Sequence, residues 1–470
     1  MKIALIAPPY DLLAKGYGTK AKIKYGHMPP LGIGHIAAVL LKLGHEAKII
    51  DAPAMGYGDA DVVREVLKWG ADAAGISAMT ASADSAYSVA NAIREASPMP
   101  LIMGGPHSIC FPEKVLTDCP AVDVSVFGEG ETVMPELAGW LEKKASLSGV
   151  KGVCFRGPGG AVVRNPLGES IADLDSIPSP AWHLYDFSLY RSLPGQNRAF
   201  PVAPLITSRG CPYRCTFCFQ AGNKAFRYRR HSPERIISEI ENLYNNFGIR
   251  EVMFWDDTFA MNIDWMEKFC SGLKAKVRLP WSCYGRVNTV SEKMLRLMAD
   301  AGCWNIFYGY ESGSQQMLDL IQKGTTIEQC LAATRWAKEA GMQIRASFMI
   351  ALPGETPEMA RKTIDFAIKL NPDYVQFLPT YPEYGTVLYE QALKEGKITK
   401  GLEYKGRTKA TYVPDAYGTP EEVEKMVRYA YRRFYLRFAY VWGRLKTIRG
   451  LADLKVYFDG LKFILGIAFK

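Results

Sequence analysis

The chain has 470 residues, 48% hydrophobic and 22% charged, enough for about three domain-sized units that each bury a core, which excludes a disordered tail or a disulfide miniprotein. The formal charge is +9, and most of the excess lies in 428–449, where Arg428, Arg432, Arg433, Arg437, Arg444, Lys446 and Arg449 occur with no acid. The remainder is near neutral, which argues against nucleic acid as a partner and leaves one basic patch.

Residues 1–9 hold too short an apolar run for a signal peptide and read as a first buried strand. The apolar stretch 31–43 is broken by His35 and Lys42, short of the ~20 residues a membrane span needs. Ten cysteines are too sparse for a secreted scaffold, so a soluble protein in a reducing cytoplasm is expected. Over 1–145, strand-like runs (2–7, 46–51, 73–79, 101–104, 122–126) alternate with amphipathic helices (32–43, 59–68, 85–95, and one from Glu131). This is the pattern of a doubly wound, Rossmann-like parallel sheet, whose ligands bind beyond the carboxyl ends of the strands. Those ends read Ser77-Ala78-Met79-Thr80, Gly104-Gly105-Pro106-His107 and Gly128-Glu129-Gly130-Glu131. By residue type alone they are equally well ordinary βα turns.

A linker over 146–199 carries a short β piece (152–156, 161–164) and Pro166, Pro178, Pro180 and Pro194. From 200 to 390 six strands (204–208, 251–255, 281–284, 306–310, 343–350, 374–378) alternate with helices. That predicts a full or partial TIM-type barrel, with chemistry on the loops after the strands. Residues 391–470 read as polar and then helical. No repeat of fixed period is present.

After the first barrel strand comes Arg209-Gly210-Cys211-Pro212-Tyr213-Arg214-Cys215-Thr216-Phe217-Cys218. The spacing C-x3-C-x2-C lets Cys211, Cys215 and Cys218 grip three irons of a [4Fe–4S] cluster and leave the fourth open. Zinc would want a fourth protein ligand, and the next cysteine is Cys270. The other cysteines, Cys110, Cys119, Cys154, Cys283, Cys303 and Cys330, read with Cys270 as buried or incidental.

This triad, opening a βα array, resembles the radical S-adenosylmethionine (SAM) superfamily. The resemblance implies that the open iron is chelated by SAM and that the reduced cluster cleaves SAM to a 5′-deoxyadenosyl radical. It also implies SAM-binding residues: Phe217; Asp256 and Asp257 at the end of the second strand, for the ammonium; Glu311 and Ser312 at the end of the fourth, for the ribose and methionine; and Pro353 after the fifth, near adenine. Arg286 and Arg345 are carboxylate partners or structural.

Pro29-Pro30-Leu31-Gly32-Ile33, Gly75-Ile76-Ser77-Ala78-Met79-Thr80, Gly104-Gly105-Pro106-His107 and Phe127-Gly128-Glu129-Gly130-Glu131 look like the cobalamin-binding domain of class B radical SAM proteins. That group includes methyltransferases of unactivated carbon or phosphorus and the anaerobic magnesium-protoporphyrin ester cyclase. The likeness covers about 1–390, and the arginine-aromatic segment near 430–440 is also similar to the cyclase-like branch. Cobalamin contacts are implied at Pro30, Leu31, Gly32, Ser77, Met79, Thr80, Gly104, Gly105, His107, Gly128, Glu129 and Gly130. The motif D-x-H-x-x-G is absent, since Asp51-Ala52-Pro53 has proline where histidine would stand. Cobalamin is therefore expected without a histidine below cobalt; His27, His35, His45 and His107 are other candidates or ordinary polar residues.

What the resemblance implies is an enzyme with three cofactors: a [4Fe–4S] cluster, SAM and cobalamin. It would functionalise an inert C–H bond, by methyl transfer or alternatively by cyclisation or rearrangement. A non-catalytic iron–sulfur or corrinoid carrier is the reading from another class. Methylthiolation of tRNA is disfavoured because Cys110, Cys119 and Cys154 are too far apart for a second triad. Expected partners are a small lipid-like or planar substrate, for which the aromatic run 374–385 offers a lining, and a one-electron reductant such as flavodoxin or ferredoxin. Tyr429, Tyr431, Phe434, Tyr435, Phe438, Tyr440 and Trp442 interleave with the arginines of 428–449. That composition suits peripheral contact with the inner face of a membrane, an RNA or acidic partner, or packing on the barrel.

Overall fold

The computed structural model describes residues 1–11, 26–193, 195–222, 227–398, 408–446 and 451–469; Pro194 of the linker and Arg449 of the basic patch lie outside them. The described residues fall into two compact units, 1–11 with 26–191, and 192–469.

The first unit is built on β1 (Lys2–Ala7), β2 (Glu46–Asp51), β3 (Ala73–Ser77), β4 (Leu101–Gly104), β5 (Val124–Val126), β6 (Val153–Arg156) and β7 (Val162–Arg164), in sheet order β2-β1-β3-β4-β5-β6-β7. The first five strands are parallel, with Ile6 level with Ile50 and Ile76. Val62 and Val66 of helix Asp59–Trp69 and Val89 and Ile93 of helix Ala83–Ala96 share one core with Ala4, Ile6, Ile50 and Met103. The opposite face is buried too, as Ile3 and Leu5 show, and burial on both faces is why these strands read as continuous apolar runs. The short β piece of the linker extends this sheet: β6 and β7 run antiparallel, with Phe155 opposite Val124.

Beyond β7, rings from Trp182 to Tyr190 pack at centroid spacings of 6.0–6.4 Å. Tyr185 Oη donates to Pro30 O at 2.9 Å and Ala181 N to Gly34 O at 3.0 Å. A Cβ on Gly34 would stand 2.7 Å from Tyr185 Oη, so glycine there lets the loop lie against helix Leu31–Lys42.

The second unit contains β8 (Val202–Leu205), β9 (Ser208–Arg209), β10 (Arg229–Arg230), β11 (Glu251–Phe254), β12 (Trp281–Gly285), β13 (Cys303–Glu311), β14 (Gln343–Ile350) and β15 (Tyr374–Pro379). Six of them form a parallel sheet in the order β15-β14-β13-β12-β11-β8. With β8 and β15 at its two ends the sheet is a partial barrel. β8 stops before the expected end because Ser208 leaves to pair with Arg230 in the β9–β10 ribbon. The helices after the strands start on side-chain caps: Ser232 accepts from Arg235 N, Asn262 from Trp265 N, Ser291 from Met294 N, Thr326 from Gln329 N and Thr356 from Met359 N. Each cap satisfies a backbone donor that the first turn leaves free.

Parity fixes which side chains face inward. The Tyr310 hydroxyl meets Thr334 of helix Ile327–Glu339 at 2.6 Å, so Asn305, Phe307 and Gly309 of β13 face the lumen. Phe377 packs against Tyr431 and Phe434 of helix Pro420–Tyr435, which turns Tyr374, Gln376 and Leu378 inward.

The tail packs on the barrel, one of the readings its composition allowed, and three of its arginines take part in the contact. Arg433 pairs with Asp365 at 3.2 Å, Arg437 with Asn371 at 2.6 Å and Arg444 with Asp373 at 2.7 Å. These arginines fasten the tail to the barrel, while Phe438 is 80% exposed and Trp442 51%. Among the described residues no helix is long and apolar enough to cross a membrane.

Candidate active site

Gly210, at φ +80°, turns the chain into the cysteine loop. Thr216 N donates to Ile321 O at 3.0 Å, and Thr216 O accepts from Leu388 N at 2.9 Å, so the loop is held from both sides. Cys211, Cys215 and Cys218 are free thiols. Burial raises the Cys218 thiol to about 11; a bound cation would favour its thiolate. Among the described residues no three Cys, His, Asp or Glu side chains converge on a single ion. Three thiols on one loop can each take their own iron of a cube, so the donor set fits the cluster.

Arg286 Nη1 donates to Cys215 Sγ at 3.4 Å, its Nη2 to Lys323 O, and its guanidinium lies 3.6 Å from the Tyr213 ring centre. Arg286 therefore meets a cysteine sulfur of the triad, with no carboxylate among its described partners. Lys323 Nζ in turn sits 2.7 Å from Glu311 Oε1 and 5.7 Å from the Phe217 ring centre. Glu311 occupies a register break in β13 at φ +64°, a bulge that re-aims its side chain. A Cβ on Gly309 would collide with Glu311 Oε1 and meet Lys323 Nζ at 3.1 Å, so glycine makes room for the pair. Neither Lys323 nor the Arg286–sulfur contact was foreseen, because neither lies in a motif or at a telling spacing. Phe217 packs with Met317, Ile321 and Leu352, beside the buried Pro353.

The two acids after β11 have different work. Asp256 is buried and accepts from Thr207 N at 3.0 Å, Thr207 Oγ1 at 2.7 Å and Ser208 Oγ at 2.5 Å. The expectation that it meets the SAM ammonium is corrected: its carboxylate ties down the start of the cysteine loop. Asp257 is solvent-accessible in a concave setting, and burial, with the Asp256 charge, raises it to about 6.

Ser312 is also corrected. It is fully buried, lies 3.2 Å from Thr363 Oγ1 and accepts from Ser314 N, so it braces helix Pro357–Leu370. Arg345 is corrected by its place: the register sets it level with Tyr374, the first residue of β15, low in the barrel and far from the strand ends. Of the aromatic run, Tyr374 faces the lumen, whereas Tyr384 packs on Tyr389 at 5.2 Å in a satellite core.

In the first unit Ser77, Gly104 and Gly128 end or follow the adjacent strands β3, β4 and β5, with Met79 50% exposed and Thr80 half-buried beside them. Gly105, at φ +93°, approaches so closely that a Cβ would stand 2.9 Å from Ala78 O. Pro30, Leu31 and Gly32 open helix Leu31–Lys42, with Gly32 exposed. Glu129 Oε2 accepts from Ile171 N at 2.7 Å, next to Gly130, which begins helix Gly130–Leu141.

His107, expected among the cobalamin contacts, is buried, its Nε2 is 2.8 Å from Tyr87 Oη, and burial lowers it to about 4. His35 Nδ1 lies 3.0 Å from Pro178 O and His45 Nδ1 3.5 Å from the N-terminal amine. His107 Nδ1, Ser108 Oγ and Ser125 Oγ are buried without a partner. An apolar, hydroxyl-bearing edge backed by unpaired polar atoms fits a flat ring fringed with amides.

The model of the radical SAM superfamily matches residues 205–367, and that of the B12-binding domain matches residues 21–138. An uncharacterized methyltransferase of Pyrococcus horikoshii is 34% identical over 444 residues, 93% of each chain. The anaerobic magnesium-protoporphyrin IX monomethyl ester cyclase of Rubrivivax gelatinosus is 28% identical over 88% of this chain and 75% of its own. Among solved structures, the cobalamin-dependent SAM radical enzyme OxsB, with aqua-cobalamin and SAM bound, superposes with TM-score 0.76 at 18% identity, covering 99% of this chain and 71% of that one.

Proposed function

The chain belongs to the radical SAM superfamily, in the branch with a B12-binding domain ahead of the barrel, and from that premise we propose that it methylates an unreactive carbon. Cyclisation or rearrangement is the second reading, favoured by the likeness to the cyclase. When bound, the [4Fe–4S] cluster, SAM and cobalamin supply the electron, the carbon radical and the methyl group. In this reading 1–145 carries the cobalamin and 200–390 the cluster and SAM.

Cys211, Cys215 and Cys218 hold the cluster, and Arg286 offsets part of the ligand charge at Cys215. Asp257, the accessible acid after β11, receives the SAM ammonium; Glu311, fixed by Lys323, faces the methionine and ribose; Phe217 and Pro353 give the apolar wall. Pro30, Leu31, Gly32, Ser77, Met79, Thr80, Gly104, Gly105, Gly128, Glu129 and Gly130 carry the corrinoid, with His107 as support beneath. The electron comes from a small one-electron donor of the flavodoxin or ferredoxin kind. A peripheral membrane contact belongs to the same proposal, made by exposed Phe438 and Trp442, whose rings stack at 6.1 Å, and not by the inward-turned arginines.

The observation that carries the reading is the three-cysteine loop with an arginine on one sulfur. Anaerobic reconstitution with SAM and hydroxocobalamin tests it by mass spectrometry. Deoxyadenosine together with S-adenosylhomocysteine means methyl transfer; deoxyadenosine alone means cyclisation or rearrangement.

A further inference from the structure

Arg345 lies in the lower lumen and is only 6% exposed. Its Nε donates to Asn305 Oδ1 at 2.9 Å, and its guanidinium stands 5.3 Å from the Phe307 ring centre and 5.8 Å from that of Tyr284. Among the described residues it has no ion pair. Glu251 is the acid nearest in effect, but its oxygens are taken: Oε2 accepts from Arg198 N at 2.6 Å and Ala199 N at 2.7 Å, and Oε1 from Trp304 Nε1 at 2.9 Å. Beside the arginine, Asn305 is 1% exposed and its Nδ2 is an unpartnered donor.

Asn305 Nδ2 is a buried donor with no acceptor, and Arg345 is a buried cation whose hydrogen-bond partners, Asn305 and the Tyr284 hydroxyl, are neutral; both are costly. Ring faces return only ~1–2 kcal/mol to a cation. An acceptor carrying negative charge would satisfy both groups.

Above them the inward-facing side chains are not fully covered. Tyr284, Phe307, Ser347, Met349, Tyr374, Gln376 and Leu378 are all partly exposed inside an otherwise buried sheet. Below, the chain closes the barrel: Arg198 and Ala199 are bonded to Glu251, and Gly195 lies against Tyr374, whose hydroxyl would stand 2.8 Å from a Cβ there. Arg345 is five residues below Ile350, the end of β14, about 16 Å at 3.3 Å per residue.

We infer that Arg345 and Asn305 form the anion end of the substrate pocket, holding a carboxylate or phosphonate attached to an apolar or aromatic body long enough to bring its far end to the mouth. The inference rests on the proposed function for the reaction that occurs at that far end.

The test is calorimetric binding, on oxygen-free enzyme loaded with cluster and cobalamin, of biphenyl-4-carboxylate, biphenyl-4-ylphosphonate and neutral biphenyl-4-methanol. At least one anion is expected to bind tenfold or more tightly than the alcohol, and the tighter anion names the head group. Arg345→Gln should bring the anions to the level of the alcohol, Arg345→Lys should restore part of the preference, and SAM affinity should not change. Should Arg345→Gln fail to fold, Asn305→Ala should still weaken the preference several-fold. Equal binding of alcohol and anions, no binding of any probe, or a preference that survives these substitutions overturns the inference. Deoxyadenosine formation with dithionite is scored separately: its absence beside an intact anion preference removes the reaction and leaves the pocket.

Discussion

Arg286 places a guanidinium nitrogen 3.4 Å from the sulfur of Cys215, so one of the three proposed cluster ligands carries a cation at its side. Reduction adds negative charge to the cluster, and the arginine favours the reduced form. Arg286→Gln should keep the cluster's visible absorbance and move its midpoint potential down by on the order of 50 mV. Redox titration followed by electron paramagnetic resonance measures this; an unmoved potential would reduce the arginine to a packing element.

Alanine at Cys211, Cys215 or Cys218 should abolish the cluster absorbance and all deoxyadenosine production. Turnover that persists in Cys215→Ala would refute the cluster assignment.

Asp256 and Asp257 should separate stability from binding. Asp256→Ala strands the donors of Thr207 and Ser208 and should cost about 3 kcal/mol in urea unfolding. Asp257→Asn should leave stability unchanged and raise the KM for SAM about tenfold, the effect of ~1.4 kcal/mol. Equal effects of the two substitutions would remove the distinction.

Glu355 is fully buried, and burial raises it from 4.5 to about 7, while Ala351 N and Leu352 N donate to its Oε2. Between those values the native acid keeps a proton that the unfolded chain has lost, so stability falls as pH rises from 4.5 to about 7 and is level above. Glu355→Gln should flatten that slope and leave the protein more stable at pH 8 by up to about 3 kcal/mol. Thermal unfolding across pH measures it; parallel curves for the two proteins would show that Glu355 does not titrate on unfolding.

Phe438→Ser with Trp442→Ser should remove co-sedimentation with anionic liposomes, while Arg433→Gln, which loses only an exposed ion pair to Asp365, should change it little. The opposite ranking would return the contact to the charges.

The cysteine loop and the strand alternation were legible because each depends on local spacing. What escaped depended on parity or distance. Asp256 and Asp257 are neighbours at a strand end, and sequence does not say which of two successive side chains turns toward Thr207. Arg433, Arg437 and Arg444 read as a basic patch because their partners Asp365, Asn371 and Asp373 lie more than sixty residues upstream. Arg345 could have been placed lower from its third position in the predicted strand 343–350. The strand-end edge of the first unit was legible as glycine-rich turns, but that His107 turns inward toward Tyr87 was not.

Glu251, by clamping the amides of Arg198 and Ala199, holds the chain across the foot of the barrel, so a molecule taken up at Arg345 as inferred above would enter past the strand ends. Whatever lodges deepest must enter first and depart last, so spent SAM fragments have to clear the threshold before the altered molecule can escape. Turnover would then follow a strict queue, with competition between product and fresh SAM visible in steady-state inhibition patterns.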